Sequence, residues 1–226
     1  MRRIGIISAM WIEVELLHSK MTDVEEVKHA GMKYYKGKLE NVDVVLSTCS
    51  IGKVNAAIYT QVMIDHFNVD AIIHTGIAGS MDENVKHLSV VVADGLTYYD
   101  VRKEQLKNWF PNQEVFQTDQ TLRNILKECA GADARCGLIL TGDDFISSAE
   151  RKAELKKRYP ALCVEMEGCA VAHAAYVNGI PFGVIRCISD LADGDATEDY
   201  SGFEQKAAVK ASEIVQKTLR RIALIT

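Results

Sequence analysis

Short apolar runs rich in valine and isoleucine recur along this chain, and stretches whose apolar residues fall three and four apart lie between them. The runs are residues 4–8, 42–48, 71–74, 88–93, 137–140, 162–164 and 182–188, bounded by Gly, Asp or Pro. Such runs read as buried strands. Residues 12–20, 54–66, 122–129, 149–158, 168–178 and 202–223 read as helices with one apolar face. Strands alternating with helices restrict the chain to βαβ units. The expected fold is therefore α/β, a central mixed, mostly parallel sheet flanked by helices on both faces. Residues 34–39 are expected to pair with 42–48 through a hairpin-like turn at Glu40-Asn41. No Pro/Gly/Ser-rich linker, repeat or low-complexity tract interrupts the 226 residues, so one domain is expected over 1–226. The stretch with least pattern is 103–119.

Charge narrows the partners. With 26 basic and 31 acidic residues the net charge is −5, and no basic stripe is visible, so no nucleic-acid partner is expected. The densest basic run, 152–158, is interleaved with Ala, Glu and Leu and reads as a solvated helix face. No window has the apolar length of a membrane span. The N-terminus, MRRIGIISAMW, lacks a long apolar segment with a cleavage site and reads as a first strand rather than a signal peptide. The six cysteines form no C-x-x-C pair and the six histidines no H-x-x-x-H pair. Free thiols in a reducing cytoplasm are expected, with no metal and no cofactor.

Ligands of open α/β sheets bind beyond the carboxyl ends of the strands. The residues just past the apolar runs are therefore the candidates. They include Ala9-Met10-Trp11-Ile12-Glu13, Ser50-Ile51-Gly52-Lys53 and TGIAGS at 75–80. TGDDFI at 141–146, Glu165-Met166-Glu167 and Ser189-Asp190 complete the set. Glycines, acids and an aromatic thus converge on one sheet edge. Taken singly, each has a plainer reading. TGIAGS could be only a tight strand-to-helix turn, and it is neither G-x-G-x-x-G nor a P-loop. Asp190 could be a helix N-cap, and Glu13 a complement to a helix dipole. Phe145, Ile146, Met10, Met166 and Ile51 could be core. Arg186 inside an apolar run requires an acidic partner or an anionic ligand.

The stretch ALCVEMEGCAVA at 161–172 places two glutamates among small apolar residues, where acids are rarely buried without a partner. If the strand ends near Glu165 and a helix starts near Gly168, the two carboxylates diverge. Glu167 is then the one facing the crevice. An ionised carboxylate, which only accepts hydrogen bonds, suits the vicinal hydroxyls of a ribose. Glu165 is expected to be structural, turned toward a donor that the sequence does not identify.

Six segments, in order, carry a resemblance: IGIISAM…E (4–13), SIGKVNAA (50–57), HTGIAGS (74–80), GLILTGDDFI (137–146), VEMEG (164–168) and RCISDLADGDA (186–196). Together they resemble the 5′-methylthioadenosine/S-adenosylhomocysteine nucleosidases of the nucleoside phosphorylase superfamily. The resemblance implies a nucleoside phosphorylase-like fold and hydrolysis of the N-glycosidic bond to adenine and a 5′-thioribose. It implies that Glu13 activates the attacking water, Asp190 assists the departing base at N7, and Glu167, with Met166 beside it, holds the ribose. It further implies that Phe145 stacks on adenine and the backbone of Ile146 reads the purine edge. Ile51, Met10, Gly79, Ile77 and Tyr200 would line the pocket, and Arg186 would orient the nearby glutamate. The family is usually homodimeric, and the segment near 98–110 would reach into the partner's pocket.

Departures from the family pattern are Trp11 and Ile12 before Glu13, Ile77 and Ser80 within TGIAGS, and Tyr99 before Asp100. They leave the three acids in place and bear on the pocket for the 5′ substituent and on the partner contact; Ile77 would make that pocket wall more apolar and tighter. A sibling nucleosidase acting on deoxyadenosine or an aminofutalosine-type nucleoside is an alternative, as is a non-catalytic nucleoside-binding protein on the same scaffold. A phosphorylase would need a cluster of Arg and Ser side chains for phosphate, and only Lys53 and Arg186 lie near the strand ends.

Overall fold

The computed structural model describes residues 3–194 and 196–225, with Asp199 described by its backbone alone. Asp195, inside the RCISDLADGDA segment, lies outside the described residues. Ten strands form one sheet: β1 (Arg3–Ser8), β2 (Thr22–His29), β3 (Met32–Leu39), β4 (Val42–Thr48), β5 (Ala71–Ser80), β6 (Val90–Tyr98), β7 (Phe116–Gln117), β8 (Arg135–Thr141), β9 (Ala161–Glu165) and β10 (Phe182–Asp190). The helices are α1 (Glu15–Ser19), α2 (Lys53–Asp65), α3 (Lys103–Asn108), α4 (Gln120–Ala130), α5 (Ala149–Arg158), α6 (Gly168–Val177) and α7 (Ala196–Ala223).

The sheet is mixed, as expected, with five parallel and five antiparallel pairings. Along one branch, β5 pairs with β1, and β4, β3 and β2 lead on to an open edge. Along the other, β10, β6, β8 and β9 return to β5, closing a ring of five strands. Helices cover both faces. Ile4 and Ile6 of β1 point into a core shared with α1, α4 and α7, and the intervening Ile7 points into a second core shared with α2 and α6. This is the period-two alternation of a strand buried on both sides.

The pairing of β5 positions the site. Its residues Ala71–His74 pair with β1, and Gly79 and Ser80 pair with β9, both on the edge away from β10. Between His74 and Gly79 that edge has no strand ladder. β1 and β9 part there, and a crevice opens at the point where the chain switches from one half of the sheet to the other. This is where open α/β sheets bind ligands.

The structure changes several boundaries. TGIAGS is strand rather than turn, because β5 and β10 stay paired as far as Gly79 and Asp190. The expected helix at 12–20 is a 3₁₀ turn at Trp11–Glu13 followed by the short α1. Residues 103–119 hold α3 and β7, and the last helix starts at Ala196. β2 is an exposed edge strand of mostly polar and charged residues with only Val24 and Val27 as apolar residues, so it has no hydrophobic signature. The expected hairpin is present: Leu39 pairs with Val42, and Glu40 and Asn41 both take positive φ, 52° and 63°, as a two-residue primed turn requires.

Candidate active site

A cleft of about 400 Å³ opens at this switch point. Ten of the twelve residues expected to form the site line it: Met10, Glu13, Ile51, Ile77, Gly79, Phe145, Met166, Glu167, Asp190 and Tyr200. Ile146 borders a small adjoining cavity shared with Gly79, Phe145, Met166 and Asp190. Arg186 lies behind the wall, almost completely buried. The structure also gives roles to residues for which the sequence assigns none, chiefly His74, Thr141, Ser8, Ser189 and Gly52.

Glu13 is fixed by three donors. Its Oε2 accepts from the Ser8 hydroxyl at 2.5 Å and the Met10 amide at 2.8 Å, and its Oε1 accepts from the Ile77 amide at 2.9 Å. The last of these uses the unladdered edge of β5. Gly76 is what permits the approach, since a Cβ there would lie 2.5 Å from Glu13 Oε1 and 3.2 Å from Arg186 Nη1. Further along, the Asp190 carboxylate accepts from the Ser189 hydroxyl at 2.8 Å and the Ala192 amide at 2.9 Å. A Cβ at Gly79 would come within 2.7 Å of Asp190 Oδ1.

The two glutamates of ALCVEMEG diverge. Glu165 ends β9 and turns inward. Its Oε2 accepts from Arg186 Nη2 at 2.5 Å and from the amides of Glu167 and Gly168 at 3.0 and 2.6 Å, and its Oε1 accepts from the Thr141 hydroxyl. Thr141 in turn accepts from the Cys169 amide at 2.8 Å. Glu165 and Thr141 therefore satisfy the first amides of α6, which a helix cannot pair internally. Arg186 is the donor to Glu165, and Glu165 is the acidic partner that an arginine inside an apolar run requires. Burial alone would raise the Glu165 carboxyl, but Arg186, followed by His74 and Thr141, holds it below the usual carboxylate range.

His74 braces the other side of Arg186. Its Nδ1 faces the Ile7 carbonyl at 2.9 Å, so that nitrogen carries the hydrogen, and Nε2 accepts from Arg186 Nη2. Burial and then Arg186 push the imidazole pKa down, keeping it neutral. His74, Glu165 and Glu167 bring possible metal-ligand atoms within 4.8 Å of one another. Arg186 already donates to two of the three, so their lone pairs have partners without an ion.

Glu167 faces the cleft. Its Oε1 accepts from the Gly52 amide at 2.7 Å. Burial, and then the negative charge of Glu165, push its carboxyl up to about 8. Gly52 has φ 101° and precedes α2, and the next amide, of Lys53, donates to Asp143 Oδ1 at 2.9 Å. The start of α2 is thus satisfied by carboxylates from two distant segments, which ties the SIGKVNAA, GDDFI and VEMEG stretches together. At the mouth, Phe145 and Tyr200 meet edge to face at 5.9 Å between ring centres, and the Tyr200 hydroxyl reaches Met10 Sδ and Glu204.

The fold and this site define a member of the Phosphorylase superfamily, whose family model matches residues 3–220. The chain is 38% identical over 227 residues to the 5′-methylthioadenosine/S-adenosylhomocysteine nucleosidase of Staphylococcus saprophyticus, covering 97% of this chain and 100% of that one. Among solved structures, it is similar to the nucleosidase of the same description from Neisseria meningitidis in complex with methylthio-immucillin-A, with a TM-score of 0.93, 33% identity, and 98% and 100% of the two chains covered. It is also similar to the futalosine hydrolase of Helicobacter pylori, with a TM-score of 0.91, 31% identity, and 97% and 98% covered. The chain belongs to the 5′-methylthioadenosine/S-adenosylhomocysteine nucleosidase family within that superfamily.

Proposed function

We propose that the protein hydrolyses the N-glycosidic bond of 5′-methylthioadenosine and S-adenosylhomocysteine, giving adenine and the 5′-thioribose. The observation that carries this reading is the charge of the cleft. Glu13, Glu165, Glu167 and Asp190 line it, and no lysine or arginine does among the described residues. Glu165 is held ionised, while Glu167 keeps a proton below about pH 8 until a ligand arrives and adds no charge to the empty cleft. Breaking the bond passes through an oxocarbenium-like sugar, which negative charge stabilises. A phosphate nucleophile would instead need cationic donors.

Glu13 is the base for the attacking water, oriented by Ser8, Met10 and Ile77. Asp190, held by Ser189 and Ala192, serves the departing base at N7. It shares the small cavity with Phe145 and Ile146, which stack on the purine and read its edge. Glu167 accepts from the ribose hydroxyls beside Met166. Met10, Ile51, Ile77, Gly79 and Tyr200 complete the wall, and Arg186 holds Glu165 from behind.

The test is adenine release from methylthioadenosine with and without phosphate. Turnover independent of phosphate is expected. Phosphate-dependent formation of a sugar 1-phosphate would overturn the reading. The likeness to a futalosine hydrolase at a TM-score of 0.91 keeps a sibling specificity in view, and turnover of a futalosine-type nucleoside alone would favour it over methylthioadenosine and S-adenosylhomocysteine.

We also infer a cytoplasmic homodimer. The six free cysteines suit a reducing compartment. Trp109 and Phe110 are 66% and 78% exposed on the segment expected to reach a partner's pocket. A monomeric mass in solution would remove the dimer.

A further inference from the structure

The segment carrying Phe145 has no regular structure of its own, and two consecutive side chains from the end of β6 hold it. β6 and β8 run parallel with Tyr98 opposite Thr141, so residues 99–100 and 142–144 leave the sheet side by side. The Tyr99 amide donates to the Thr141 carbonyl at 3.0 Å. Its ring lies flat on Gly142, where a Cβ would come within 2.2 Å of ring carbon, so only glycine fits. Its hydroxyl donates to the Asp144 carbonyl at 2.9 Å and accepts from the Asp144 amide at 3.3 Å. Asp100 continues the clasp, accepting from the Asp143 amide at 3.0 Å and from Lys53 Nζ at 2.6 Å. The Arg151 guanidinium sits over the Tyr99 ring at 5.7 Å from its centre. Tyr99 itself is buried and does not line the cleft, whereas Phe145, the next residue after Asp144, is 46% exposed and does.

We infer that Tyr99 is a positioning residue that sets Phe145 for the purine by gripping the backbone of Asp144 on both its carbonyl and its amide. This rests on the reading of Phe145 as the base platform. An aromatic platform helps only if its plane is fixed before the base arrives, because ordering a loop at binding weakens affinity. Tyr99 provides that fixation from outside the cleft. Burial pushes its phenol up to about 12, so the hydroxyl remains a donor across the working pH range.

The experiment is a double-mutant cycle on Tyr99→Phe and Phe145→Ala, reading KM and kcat for adenine release from methylthioadenosine, the calorimetric Kd for adenine, and Tm. Tyr99→Phe keeps the ring over Gly142 and removes only the hydroxyl. It is expected to raise KM and the adenine Kd about three- to tenfold, the net size of one ordinary hydrogen bond, with kcat changing less. In the Phe145→Ala background the same change is expected to have no further effect on adenine affinity. Additive effects, or a loss confined to Tm or kcat, would overturn the inference. If Phe145→Ala alone leaves adenine affinity at the wild-type value, the platform reading falls and this inference with it. If Phe145→Ala weakens adenine and Tyr99→Phe does not, only this inference falls.

Discussion

Arg186 Nη2 donates to Glu165 Oε2 across 2.5 Å, and both side chains are nearly sealed from water. That contact separates the two glutamates of one strand end into different roles. Glu165 is held ionised by a buried cation and caps α6. Glu167, two residues on, accepts from the Gly52 amide and faces the cleft. Losing one partner of a buried pair typically costs about 3–5 kcal/mol, because the remaining charge is left uncompensated. Glu165→Gln is therefore expected to lower the unfolding free energy, read from the urea transition, by an amount of that order. In Glu165→Gln/Arg186→Met no full charge is stranded, so its loss should be smaller than the sum of the two single losses. A strictly additive double variant would show that the pair is not coupled.

The same two carboxylates give stability opposite pH dependences. Glu167 is raised to about 8 from its ordinary 4.5. The folded state then holds a proton that the unfolded chain gives up, so this contribution is complete below pH ~4.5 and is lost as pH rises through about 8. Glu165 is lowered from the same ordinary value. Its contribution is present above pH ~4.5 and is lost as pH falls below that. Denaturant titrations of the ligand-free protein from pH 5 to 9 should show the wild type losing stability relative to Glu167→Gln. A parallel pair of curves would contradict the raised carboxyl.

In Glu13→Gln the amide oxygen can still meet Ser8 and Met10, but the NH2 group then faces the Ile77 amide, so the fold should be retained with Tm somewhat lowered. Adenine release should fall by about 10²–10⁴, the range for loss of a general base. Asp190→Asn should fall comparably, with adenine still bound at the Phe145 end. Unaltered release in either variant would remove that residue from the chemistry.

Much of this is legible in the sequence where one physical constraint acts alone. β1 and β4 are apolar because both their faces are buried, and the Glu40-Asn41 turn announces itself through residues tolerant of positive φ. The acids Glu13, Glu167 and Asp190 stand out because each comes after a buried run. Legibility fails where the constraint is tertiary. TGIAGS has turn composition, yet pairing with β10 keeps it extended, and its glycines serve the close approach of Glu13 and Asp190 rather than a bend. His74 sits in an apolar run like a core residue, and only the parallel register, with Val184 opposite it, brings Arg186 within reach. β2 has no buried face to leave a pattern. The Tyr99 clasp joins residues more than 40 apart in the chain, and no local spacing encodes it.

The glycines of β5 offer a way to disturb the two ends of the cleft separately. In Gly76→Ala the new methyl would sit 2.5 Å from Glu13 Oε1 and 3.2 Å from Arg186 Nη1. Glu13 must then retreat from the position set by Ser8, Met10 and Ile77. A misplacement of about 1 Å at a reacting group can lower turnover on the order of 10²-fold, so kcat should drop sharply. Adenine affinity should hold, because Phe145, Ile146 and Asp190 are untouched. In Gly79→Ala the methyl would sit 2.7 Å from Asp190 Oδ1 and 3.0 Å from Ala192 Cβ, within the small cavity that Asp190 shares with Phe145 and Ile146. Both kcat and the calorimetric affinity for adenine should suffer there. If Gly76→Ala weakened adenine binding as much as Gly79→Ala does, the water end and the base end of the cleft would be assigned the wrong way round.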